Sequence, residues 1–107
     1  MVEILHMIAF LFFTANLPVV APVPNDALPL DEPGRYRSVK TFDDTIKFYT
    51  RIFKQTGGVR WKNIINVPGL KVKHVASRYK TTLWEGINIY EKGGECRIFI
   101  VPRKENH

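Results

Sequence analysis

Apolar and polar positions alternate through residues 84–102, W-E-G-I-N-I-Y-E-K-G-G-E-C-R-I-F-I-V-P, on both sides of Gly93-Gly94. A period of two marks a half-buried strand, and a Gly-Gly pair supplies the positive φ angles of a tight primed turn. The stretch predicts a β-hairpin with Lys92 opposite Glu95, Tyr90 opposite Arg97, Ile89 opposite Ile98, Asn88 opposite Phe99 and Ile87 opposite Ile100. One face then carries the isoleucines and the other carries Asn88, Tyr90, Arg97 and Phe99.

The period changes to that of a helix after Thr41. Phe42, Ile46, Tyr49 and Phe53, with Ile52 beside them, form one apolar stripe, and Lys47, Arg51 and Lys54 lie opposite. Thr41 is placed to cap the N-terminus with Asp44 three residues on, Asp43 and Asp44 suit the positive end of the dipole, and Gly57-Gly58 stops the helix. Residues 59–67 alternate again: Val59, Trp61, Ile65 and Val67 point one way and Arg60, Lys62 and Asn66 the other, with Ile64 an apolar exception on the polar side. Pro68-Gly69 turns the chain. Residues 70–79 return with Leu70, Val72 and Ala76 on one face and Lys71 and Lys73 on the other. Pro68 at the turn suits type II, which matches strand twist poorly and leaves this hairpin's register open. The fold class is α+β in two layers, one amphipathic helix packed on a four-stranded antiparallel meander. A weakly alternating stretch, residues 35–40, is the candidate fifth strand.

The first 34 residues have a different texture. Residues 4–13, I-L-H-M-I-A-F-L-F-F, form an apolar run too short for a membrane span and of the length of a signal-peptide core. The n-region carries Glu3 and no Lys or Arg. Residues 17–34 hold five of the seven prolines, a density that favours an extended spacer. The chain accordingly divides into an apolar leader or membrane anchor over residues 1–21, a Pro-rich linker over 22–34 and a small basic domain over 35–107. On this division residues 1–34 add little to the fold.

Charge sharpens the division. All 16 Lys and Arg lie at or after Arg35, so residues 1–34 carry −4 and residues 35–107 carry +10. A leader implies an extracytoplasmic protein, secreted, periplasmic or membrane-attached through residues 4–21. Its anionic partners would be lipid, glycan or an envelope protein, with nucleic acid less favoured. The single Cys96 excludes an internal disulfide.

Three constellations are candidates for chemistry. With a two-residue turn at Pro68-Gly69, Asn63 faces His74 in mid-hairpin, a polar pair on an apolar face that must be hydrogen-bonded or wet. Cys96 shares strand parity with a face on which His74, Glu85 and Glu91 are also expected, the raw material of a nucleophile with a base and an orienting acid. No local signature surrounds Cys96, however, and a lone strand cysteine ordinarily serves as a small core hydrophobe. His6, His74 and His107 are scattered without metal-ligand spacing, so no metal or cofactor is expected. The third constellation is a basic surface set with aromatics: Arg35-Tyr36-Arg37, Arg60-Trp61-Lys62, Arg78-Tyr79-Lys80, and Arg97 opposite Tyr90. Within it Arg60, Lys62, Lys71 and Lys73 share the parity opposite the core and are expected to form one exposed patch, with no acid between Val59 and Tyr79 to dilute it.

The segment F-D-D-T-I-K-F-Y-T-R-I-F, residues 42–53, resembles the helix that opens a βαβββ module of the glyoxalase/bleomycin-resistance superfamily. Lys54 stands where that motif usually has Gly. The resemblance implies a half-barrel that dimerises around a metal. The composition and the basic face imply instead a non-catalytic binding module for an anionic ligand or envelope partner. An intracellular nucleic-acid binder is a third reading, available if residues 1–21 are not a targeting segment.

Overall fold

In the computed structural model, which describes residues 17–104, one helix lies on a six-stranded antiparallel sheet. In chain order the elements are β1 (Leu28–Pro29), β2 (Arg35–Ser38), α1 (Phe42–Thr56), β3 (Val59–Val67), β4 (Leu70–Ser77), β5 (Trp84–Lys92) and β6 (Glu95–Pro102). The sheet runs β1-β2-β6-β5-β4-β3. The α+β class stands as expected. The strand count rises from four or five to six, because residues 35–38 pair with β6 and Leu28–Pro29 adds a short edge. Among the described residues no helix is long and apolar enough to cross a membrane. The leader expected over residues 1–21 lies outside the described residues as far as Asn16.

The β5–β6 hairpin has the register that its turn dictates, with Lys92 opposite Glu95, Ile89 opposite Ile98 and Asn88 opposite Phe99. Gly93 and Gly94 both take positive φ, 61° and 81°, as the primed turn requires. The helix is capped by Thr41, whose hydroxyl accepts from the Asp44 amide at 3.1 Å, and it ends at Gly57. Its buried face is Phe42, Thr45, Tyr49 and Phe53, with Ile46 and Ile52 partly buried beside them. These side chains close over Ile87, Ile89, Ile98, Val75 and Trp84. Thr45, a polar residue in this stripe, is fully buried because its hydroxyl is satisfied by the Thr41 carbonyl and shared with Ser38, each at 2.8 Å.

The β3–β4 hairpin departs from the expected register, and the departure moves side chains across the sheet. Pairing starts as the turn demands, Val67 with Leu70 and Ile65 with Val72, and then slips so that Asn63 meets Lys73 and Lys62 meets His74. The irregularity falls between Asn63 and Ile65, at Ile64, the residue that breaks the alternation in sequence. An extra residue on one strand changes which face the remainder of its partner shares. Val75 rather than Val72 or Ala76 therefore faces the helix, opposite Ile87, and its burial is complete.

Residues 17–33 lie against the domain. Leu17 is in the core, the Trp84 indole donates to the Pro18 carbonyl at 3.0 Å, and the Tyr49 hydroxyl donates to the Pro22 carbonyl at 2.9 Å. The Leu83 amide donates to Val19, and Lys40 pairs with Asp26 at 2.7 Å. The segment is irregular apart from β1, with turns at 25–26 and 33–34, and it supplies partners for two buried polar groups. The boundary expected at Ala21 thus falls within a packed stretch rather than at the start of a free spacer.

Candidate functional site on the open sheet face

The helix and the N-terminal segment cover one face of the sheet. On the other, cross-strand pairing sets a continuous row across five strands: Lys62 on β3, His74 on β4, Asn88 on β5, Phe99 on β6 and Arg35 on β2. A second row beside it holds Val72, Tyr90, Arg97 and Arg37. Arg35, Lys62, Ile64, Val72, His74, Asn88, Tyr90 and Phe99 together line a shallow concavity of about 660 Å³.

The middle of the first row is locally ordered. His74 Nδ1 lies 2.5 Å from Asn88 Oδ1. An amide oxygen only accepts, so Nδ1 donates. Gly86 makes room for this ring: a Cβ there would collide with His74 Cε1 and come within 2.7 Å of Nε2. At one end of the row the Arg35 guanidinium carbon sits 4.0 Å above the Phe99 ring centre, and Arg35 also reaches Glu32 at 2.9 Å. In the second row Glu95 accepts from Arg97 at 2.5 Å and lies 3.6 Å from Arg37. The hydrogen bond from Arg97 holds the Glu95 carboxyl below its ordinary range and raises the Arg97 guanidinium in turn. Arg60 and Lys62 make no ion pair among the described residues.

The residues singled out from sequence are divided by the sheet. Lys62, His74, Tyr90 and Arg97 come together on the open face, and Arg60, paired with Ala76, shares it. Lys71, Lys73 and Asn63 do not. Lys71 Nζ lies 5.8 Å from the Phe42 ring centre and Lys73 Nζ 5.7 Å from that of Trp61, both on the helix side, where Asn63 joins them around a polar recess beside Asp43. The single four-cation patch is therefore two pairs on opposite faces, and the Asn63–His74 pair does not form. The Ile64 irregularity accounts for both differences. Arg35, named from sequence only as part of the basic-aromatic surface, joins the site, and Asn88 and Phe99 complete it without having been singled out as site residues. The hairpin register already placed Asn88 beside Phe99, whereas Arg35 reaches them only through the long-range β2–β6 pairing.

The geometry also bears on catalysis. Cys96 faces the helix, buried, with its thiol 3.5 Å from the Thr45 hydroxyl, while His74 is on the other face. Burial pushes the Cys96 thiol above its ordinary range, which opposes thiolate chemistry. The nucleophile–base arrangement expected on one face is thus split by the sheet. Cys96 is expected to resist iodoacetamide at pH 8 in the folded protein and to label rapidly in denaturant; labelling at equal rates in both would contradict its burial. Among the described residues no group of three or more His, Cys, Asp and Glu lies together in a way that would hold a metal.

No protein-family model, curated protein or solved structure matches the chain.

Proposed function

We propose that this protein is a non-catalytic binding module whose open sheet face takes an anionic ligand. The reading is carried by the row Lys62–His74–Asn88–Phe99–Arg35, which sets cations at both ends of a half-exposed, ring-bearing surface with no acid in the row itself. Of the acids near it, Glu32 pairs with Arg35 at one end and Glu95 is shared by two arginines, Arg37 and Arg97, while Lys62 makes no ion pair among the described residues. The site also has donors and apolar contact area but no activated nucleophile, which favours binding over turnover.

The division of the cations between two faces gives the test an internal control. Inorganic polyphosphate should bind the wild type at low salt and lose affinity steeply as salt rises. Lys62→Glu with Arg97→Glu should weaken binding at least tenfold. Lys71→Glu with Lys73→Glu changes net charge by the same amount on the helix side and should leave most of the affinity. Equal losses in the two variants would reduce the effect to net charge, and absence of wild-type binding at low salt would remove the reading.

A further inference from the structure

The dimensions of the open face narrow the class of anion. Adjacent strands lie about 4.8 Å apart, so the four spacings from β3 to β2 separate the Lys62 and Arg35 backbones by roughly 19 Å. A single phosphate or carboxylate cannot meet both ends of such a row. An elongated polyanion lying across the strands can. Between the cationic ends stand three unsaturated rings on neighbouring strands, His74 on β4, Tyr90 on β5 and Phe99 on β6, all partly exposed. Polyphosphate and lipid headgroups present nothing flat to such rings, whereas a nucleobase does. Asn88 and the His74 ring lie among these side chains and carry polar atoms that can hydrogen-bond a base edge. The Phe99 face is topped by the Arg35 guanidinium, which is itself a stacking group for bases as well as a cation for phosphate.

We infer that the ligand is a single-stranded nucleic acid, running across the strands from β3 to β2 with bases stacked on Tyr90, His74 and the Arg35–Phe99 pair and phosphates met by Lys62 and by the Arg97–Arg37 pair, whose two positive charges share the single carboxylate of Glu95. The inference rests on the anion-binding reading above and adds base stacking to it. Base–aromatic stacking is sequence-tolerant, so the site discriminates single strands from other polyanions more than one sequence from another.

The decisive comparison sets a fluorescent ten-nucleotide oligo-dT against polyphosphate of equal charge and anionic phosphatidylserine vesicles, all at one low salt concentration. The oligonucleotide should bind at least tenfold more tightly than polyphosphate. Tyr90→Leu and Phe99→Leu should each weaken oligonucleotide binding about tenfold while changing polyphosphate binding less than twofold, and Tyr90→Phe should restore the wild-type value. Amide chemical shifts of the wild type, which require no variant to fold, should move at residues 72–74, 88–90 and 97–99 on adding oligonucleotide and stay fixed along α1. Polyphosphate or vesicles binding as well as the oligonucleotide, or both leucine variants binding it normally, would overturn the nucleic-acid inference and leave the anion site standing. Failure of every probe to bind, or shifts confined to the helix side, would overturn both.

Discussion

A chain beginning at Arg35 is expected to lose the cooperative thermal transition of the full chain. From sequence alone, residues 1–34 are a leader and spacer and their removal is neutral; the packing of residues 17–33 reverses that expectation. Their loss would uncover Trp84, now 1% exposed, and take Leu17 out of the core. Burial of a leucine is worth about 1.5–3 kcal/mol. The Trp84 indole and the Tyr49 hydroxyl would also lose the Pro18 and Pro22 carbonyls. Exchanging each of these hydrogen bonds for one to water forfeits a net contribution of about 0.5–1.5 kcal/mol. These losses are not strictly additive, but with the exposed indole surface they are comparable to the lower end of the roughly 5–15 kcal/mol that holds a domain folded. Urea titration of the two chains followed by far-UV circular dichroism measures the difference. A midpoint for the shorter chain close to that of the longer one would show that residues 17–33 rest on the domain without supporting it.

Ile98→Ala is expected to destabilise the sheet strongly. Ile98 is fully buried at the centre of β6, opposite Ile89 on one side and Tyr36 on the other. Truncation removes most of its side chain from a site where strands on both sides and the helix above prevent collapse. Such changes cost about 2–5 kcal/mol. In a domain of this size that lowers the melting temperature by about 10 °C or more. Ile100→Ala, at a partly buried position of the same strand, should cost less. A melting temperature for Ile98→Ala within a degree or two of wild type would place the core elsewhere.

Both expectations bear on the site. The open face is positioned by side chains on the opposite face: Ile89 and Ile98 anchor β5 and β6, so that Asn88, Tyr90, Arg97 and Phe99 must point away. Losing that anchor would misplace the row without touching a residue of it. Ligand binding should therefore fall with global unfolding in Ile98→Ala and persist for the most part in Lys71→Glu with Lys73→Glu.

What the sequence determined by itself was local. The Gly93-Gly94 turn and its flanking alternation set the β5–β6 register, because a two-residue primed turn leaves one pairing that buries all the isoleucines together. The helix and its Thr41 cap followed from period, cap and stop residues for the same reason. Both elements depend on neighbours within about fifteen residues. Tertiary structure decided the rest. The choice of Val75 over Val72 and Ala76 for the core was made by β5, which sets Val75 against Ile87 and fixes the faces of β4 from the side opposite the Pro68-Gly69 turn. The irregularity at Ile64 then reconciles that choice with Trp61 on β3, and in doing so sends Lys71 and Lys73 to one face and Lys62 and His74 to the other. Arg35 joined the site through a pairing with Phe99 some sixty residues away, and the proline-rich segment became structural through the Pro18 and Pro22 carbonyls that Trp84 and Tyr49 seek. Strand alternation gives each side chain a parity but not a side. The side is assigned only when a neighbouring strand and a core are present to choose it.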